Sequence, residues 1–250
     1  MAIDFEALRK KLGQLSGTNS KRARFWRPEE GKEYNIRIIG FQDNDGNPFQ
    51  ERYFYYNIGN NPGLLAPYQF GKPDPIQELI TKLRDEGSKE SYELAKKLYP
   101  KMRCYAAVIV RGEESEGVRL WAFGKQVYQS LLNVMLDPDY GDITDPEEGT
   151  DLVITYGKPP GAQFPQTNIT PRRKTSRMMK SDEDVARSLD SIPDFTTVFD
   201  RKTPEQVQAM LDQFLLSEED AEDASTETSK YSNSSSSDDK VTKAFAELLG

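Results

Sequence analysis

Arg52-Tyr53-Phe54-Tyr55-Tyr56 sets four rings directly behind a cation, and the same pairing of flat rings with fixed charge recurs along the chain. Arg37 lies in an apolar run, Tyr99, Lys101, Arg103 and Tyr105 alternate over seven positions, and Arg119, Trp121, Lys125 and Tyr128 follow. A single strand of nucleic acid offers phosphate charges and unpaired base faces. Rings and cations together match both, with little sequence preference and about 1–3 kcal/mol per stacked base. The competing reading is that the rings fill a core, because strand alternation turns about half of them inward. Arg172-Arg173-Lys174-Thr175-Ser176-Arg177 is a dense basic cluster with two hydroxyls. It reads either as a solvated loop or as a binder of phosphates or of an acidic protein segment.

Other chemistries lack their residues. The chain has no histidine and its one cysteine is Cys104, which excludes Cys/His zinc sites and Ser-His-Asp or Cys-His catalysis. No Gly-rich phosphate loop is present. Asp137-Pro138-Asp139-Tyr140-Gly141-Asp142, with Glu148 twelfth, faintly matches a calcium loop. It has Asp142 where such a loop needs glycine and is interrupted by Pro138 and Pro146, so a solvated turn is the better reading. A metal-dependent nuclease would need clustered carboxylates, and spacing flags none.

The net charge of −8 would discourage a polyanion partner if it were evenly spread. It is not. Residues 1–180 hold 27 Lys/Arg against 24 Asp/Glu, and residues 181–250 hold 6 against 17. A mildly basic front and an acidic end are the pattern of a polyanion binder with an acidic tail. Hydrophobic residues make up 36% of the chain, too few for one compact globule of 250 residues. No apolar run approaches the roughly 20 residues of a bilayer span, and the N-terminus lacks a signal-peptide pattern. A soluble, intracellular protein is expected.

The elements that must position these residues are legible from periodicity. Strands are expected over Tyr34 to Phe41, Gln50 to Ile58, Cys104 to Arg111, Val118 to Phe123 and Asp151 to Tyr156, the first two flanking a hairpin turn at Asp43 to Asn47. Asp74 caps a helix that opens on Pro75, carries Ile76, Leu79, Ile80 and Leu83, and ends at Gly87. Ser88 caps the next, which Pro100 stops. Lys125 to Leu136 forms a third, and Thr203-Pro204-Glu205-Gln206 opens a fourth with a capping box. This order fits a mainly β, α+β fold, a five-stranded Greek-key barrel of the oligonucleotide-binding (OB) type with helical insertions. An open α+β sheet is the alternative.

The ends differ from the middle. Phe5, Leu8, Leu12 and Leu15 share one face of a short helix, with Arg9, Lys10 and Lys11 on others. A helix this short is marginal alone, so it packs either on its own core or on a neighbouring copy. From Ser217 onward the chain is acidic and Ser/Thr-rich, a composition expected to be disordered. Val241, Phe245, Leu248 and Leu249 would form one apolar helical face at the extreme end. The expected organisation is an arm at 1–20, a core at 21–180, a helical extension at 181–216 and a tail at 217–250.

Val118-Arg-Leu-Trp-Ala-Phe-Gly-Lys-Gln-Val-Tyr128 resembles the strand-then-helix segment of the single-stranded DNA-binding (helix-destabilising) proteins of T-even-type bacteriophages. Glu148-Gly-Thr-Asp-Leu-Val-Ile154 is similar to the strand that follows it, Ser191-Ile192-Pro193 to the region after the core, and Phe5 to Gly17 to the N-terminal arm. The resemblance implies an OB-type cleft that coats single-stranded DNA during phage replication, recombination and repair, without catalysis or cofactor, in the cytoplasm of the infected bacterial host. It implies cooperative binding through the arm (Phe5, Leu8, Arg9, Lys10, Lys11, Leu12, Leu15). It further implies recruitment of replication proteins by the tail, with Phe245, Leu248 and Leu249 as its anchor. Arg37, Arg103, Tyr105, Trp121, Lys125 and Phe164 are carried over as the DNA surface. Tyr53, Tyr55, Tyr99, Lys101, Arg119, Tyr128, Arg172, Arg173 and Lys174 join them as candidates.

Two departures stand out. Family members can hold a structural zinc between the second and third strands, where this chain offers no ligand and must rely on apolar residues such as Leu64, Leu65, Phe70 and Ile76. The family's basic-plus-hydroxyl arm motif is missing from the extreme N-terminus, and a similar string stands at Arg172 to Ser176. The competing function is a protein-interaction adaptor, such as a helicase loader or scaffold, that binds proteins rather than DNA.

Overall fold

The computed structural model describes residues 25–41, 44, 47–56, 58 and 63–228, and of 218–228 the backbone alone. The N-terminal arm and the apolar end of the tail lie outside the described residues. The fold is mixed α+β and built on a sheet of eight strands. They are β1 (Phe25–Trp26), β2 (Glu33–Ile39), β3 (Gln50–Tyr55), β4 (Leu64–Leu65), β5 (Lys101–Val110), β6 (Arg119–Phe123), β7 (Thr150–Gly157) and β8 (Gln166–Thr175). Five helices accompany them: α1 (Pro75–Glu86), α2 (Lys89–Leu98), α3 (Lys125–Leu136), α4 (Asp182–Asp190) and α5 (Pro204–Thr228).

The sheet runs β1-β6-β5-β2-β7-β8, with β3 also on β5 and β4 on β3. Along that path β1 and β6 run parallel and the other neighbours antiparallel, as do β3 and β4. The five strands expected from periodicity are all present. The hairpin expected between the first two is corrected: among the described residues β3 pairs with β5 and β4, not with β2. The turn chemistry itself is there, with Asn44 Nδ2 donating to the carbonyl of Asn47 at 2.9 Å.

The described residues divide into two compact units, those within 1–52 and 102–200 and those within 53–101 and 201–250. In the first, alternate residues of the strands face one core. Ile36 and Ile38, Cys104 and Val108, Trp121 and Phe123, and Leu152 and Ile154 converge there with Tyr128 and Leu131 of α3. The opposite face of β5 is buried too. Tyr105 packs on Phe195 and Phe199, ring centroids 5.0 and 5.2 Å away.

The second unit is held by apolar packing. Tyr55, Leu64, Ile76, Leu79, Ile80 and Leu98 join Val207, Leu211 and Leu215 of α5 in one cluster. Asp74 shows why α1 starts where it does. Its Oδ1 accepts from the backbone N–H groups of Ile76 and Gln77, and its Oδ2 accepts from the Tyr55 hydroxyl at 2.9 Å. Ser88 caps α2 through the N–H of Ser91. Thr203 and Gln206 bond each other reciprocally at the start of α5. That helix continues to Thr228, past the point at Ser217 where composition places the end of order.

Candidate nucleic-acid interface

β8 is the strand that presents charge. Thr167, Ile169 and Pro171 are half-buried, while Gln166, Asn168, Thr170 and Arg172 are exposed, and Arg173, Lys174 and Thr175 are exposed as well. Period-two alternation therefore holds to Pro171 and then gives way to three consecutive solvated cations. The pairing register sets Val153 beside Thr170 and Thr155 beside Asn168. On β2, Asn35 accepts from Arg172 Nη1 at 3.2 Å. The result is a strip of short polar side chains ending in a basic triplet. Phe164, in the turn between β7 and β8, is 68% exposed, the largest exposure of any described aromatic side chain.

The backbone just beyond the triplet is fastened by two arginines that share one carboxylate. Arg37 is fully buried. Its Nε donates to Asp151 Oδ1 at 2.9 Å, and its Nη1 to the Asp145 carbonyl at 3.0 Å. Its Nη2 donates to the carbonyl of Gly149 and to both oxygens of Ser176. Arg111 holds both oxygens of Asp151 at 2.9 Å and donates to the carbonyls of Arg177 and Met178. Burial pulls the Arg37 pKa down, while the Asp151 charge beside it pushes the other way. Gly149 is required here, because a Cβ on it would collide with the Asp145 carbonyl and lie 2.8 Å from both the Ile143 carbonyl and Arg37 Nη1.

A second basic point sits where β6 ends. Gly124 caps α3 without a side-chain acceptor, and no acidic residue occupies the first turn. Lys125 is exposed, as is Arg103 across the β5–β6 ladder. A Cβ at Gly124 would lie 3.8 Å from Arg103 Nη1, so the guanidinium stands beside the helix start. Helix N-termini favour anions through their unpaired N–H groups and dipole.

Several sequence candidates are buried. Arg37 acts as a structural clamp, since each of its three guanidinium nitrogens donates to a protein oxygen. Trp121 is 2% exposed and packs on Trp26 and Phe123 in the core. Tyr105 lies beneath Phe195 and Phe199. Tyr55 is buried on Asp74, and Tyr128 is buried with its hydroxyl donating to Glu51 Oε1 at 2.9 Å. Arg119 is engaged by Glu113. In the second unit, Tyr53 and Tyr99 are half-buried against the apolar cluster and Lys101 is exposed at the start of β5. Arg103, Lys125, Phe164, Arg172, Arg173 and Lys174 remain at the surface. Sequence reasoning missed Asn168 and Thr170, whose only signal was the alternation of Thr167, Ile169 and Pro171 that marks β8, and Asn35 on β2.

A family model described as gp32 DNA binding protein like matches residues 29–215. The chain belongs to that DNA-binding family. Comparison with curated proteins gives no match. Membership makes single-stranded DNA binding the general activity of the chain and agrees with the T-even phage resemblance carried by Val118 to Tyr128. Both compact units fall largely within the matched span.

Proposed function

We propose that the protein coats single-stranded DNA without catalysis and with little sequence preference. The observation that carries this reading is the exposed triplet Arg172-Arg173-Lys174 on the same hairpin as exposed Phe164, within the family-matched span. Cations take the phosphates and the ring takes a base, which needs no base-edge readout. Arg103 and Lys125 at the start of α3 add phosphate contacts. The mostly β first unit is an OB-type barrel carrying this surface. Residues 1–20 link neighbouring copies on DNA, and the acidic tail recruits replication and recombination proteins through Phe245, Leu248 and Leu249. The setting is phage replication, recombination and repair in the cytoplasm of the infected host. Retention on single-stranded DNA cellulose, with elution by a salt gradient, tests the activity. Passage through the column at low salt would favour the adaptor function.

A further inference from the structure

A cleft of about 320 Å³ opens in the first unit between the end of β2 and the loop after α3. Phe41, Pro48 and Met135 give it apolar walls, Gly40 and Gly141 leave room, and Asp142 and Thr144 supply the polar side. The loop that forms this side, residues 137–148, holds six acidic residues and no Lys or Arg. Some of that charge is engaged: Glu147 pairs with Arg177, and Asp145 accepts from the N–H groups of residues 147 and 148. Asp139 and Asp142 are exposed, and among the described residues no cation pairs with either. Phosphates would be repelled from such a rim, so the cleft is not a continuation of the DNA surface. A cleft with one apolar wall, one polar wall and an acidic rim suits apolar knobs flanked by cations.

Residues 1–20 of the same chain have that composition. Phe5, Leu8, Leu12 and Leu15 recur at helical spacing, and Arg9, Lys10 and Lys11 flank them. The described residues start at Phe25 in β1. The 24 residues before it could extend roughly 80 Å, far enough to leave one copy and reach the next on a shared strand of DNA. We infer that the cleft lined by Phe41, Pro48, Met135 and Asp142 receives the N-terminal arm of a neighbouring copy. This rests on the self-association reading above and adds the surface that the arm meets. Amphipathic helices commonly seat an apolar face in a groove of this kind, and opposite charge at the rim fixes which face enters.

Charge reversal on each side, and then mixing, tests the inference. One variant reverses the rim (Asp139→Lys with Asp142→Lys) and the other reverses the arm (Arg9→Glu, Lys10→Glu and Lys11→Glu). Each is titrated into labelled poly-dT and into an oligo-dT too short for two copies. The unmodified protein should fill poly-dT more tightly than the short oligomer. Each variant should lose that advantage by about tenfold, the effect of roughly 1.4 kcal/mol, with short-oligomer affinity unchanged. An equimolar mixture of the two variants should regain it, since each arm then meets a rim of opposite sign. Should the lysine pair not fold, Asp139→Asn with Asp142→Asn keeps an oxygen acceptor for Thr144 and should show a smaller loss. The cleft is the wrong surface if the rim variants keep the advantage, if both DNA lengths weaken equally, or if the mixture shows no recovery, as docking within one copy would give. If the arm variant keeps the advantage, or the unmodified protein has none, the self-association reading itself fails.

Discussion

Arg37 on β2 and Asp151 on β7 meet inside the protein, Nε to Oδ1 at 2.9 Å, with the arginine fully buried. Arg111 shares the same carboxylate from the end of β5. The two guanidinium groups take the carbonyls of Ser176, Arg177 and Met178, so the chain leaving β8 is pinned immediately after its exposed cations. A buried charge is tolerated when paired and hydrogen-bonded, and each guanidinium nitrogen of Arg37 has a partner.

Replacing Arg37 should therefore destabilise the fold rather than weaken the hold on DNA. Arg37→Met takes a donor from the carbonyls of Asp145, Gly149 and Ser176 and leaves Asp151 to Arg111 alone, at a cost of about 3 kcal/mol, the lower end for a broken buried pair. Urea unfolding measures the loss. DNA affinity corrected for the folded fraction should stay close to that of the unmodified protein. A stable variant with weakened affinity would return Arg37 to the DNA surface.

Trp121→Ala should cost about 3–5 kcal/mol, as expected for a large buried ring, because Trp121 packs on Trp26 and Phe123. Thermal unfolding reads this directly. Retained stability with lost DNA binding would contradict the packing described.

Stability should fall in alkali. Burial pushes the Cys104 thiol up to about 12, and burial with the Asp74 charge pushes the Tyr55 hydroxyl upward. The unfolded chain ionises these groups first, from about pH 9 for the thiol and pH 10 for the phenol. Their contribution is thus complete below pH 9 and is lost as pH rises toward 12. Denaturant midpoints measured from pH 7 to 11 should decline above 9, and Cys104→Ala should flatten part of that decline. In the folded protein Cys104 should resist thiol reagents at pH 8.

Phe164→Ala should weaken binding to oligo-dT by about 1–3 kcal/mol, the range for one stacked base, and leave the melting temperature unchanged, since the ring is exposed. Unchanged affinity would take the ring out of the interface.

Much of this fold is written in period and punctuation. The Asp74 cap, the Thr203–Gln206 box and the runs that became β2, β5, β6 and β7 each state their structure locally. β8 did not, because Pro171 and three adjacent cations disguise a strand whose inward residues are only Thr167 and Ile169 before it. The same cations were legible as a cluster, yet their place on a pinned edge strand depends on Asp151 and Arg111, far away in sequence. Local pattern cannot tell which aromatics face out. Tyr55, Tyr105 and Trp121 alternate correctly with their neighbours, and only the partners across the sheet and from residues 195–199 show that they point inward.

The β8 triplet is proposed to hold single-stranded DNA by its phosphates. Both tryptophans are nearly buried, so binding is best followed by the anisotropy of labelled oligo-dT rather than by intrinsic fluorescence. The measurement is affinity against salt concentration for the unmodified protein and for Arg172→Ala/Arg173→Ala/Lys174→Ala. The unmodified protein should bind tightly at low salt, with a steep linear fall of log K with log salt. The triple variant should bind more weakly and show a slope shallower by about 0.7 for each phosphate that it no longer neutralises, with unfolding unchanged. A triple variant with the same affinity and the same slope would contradict the proposal.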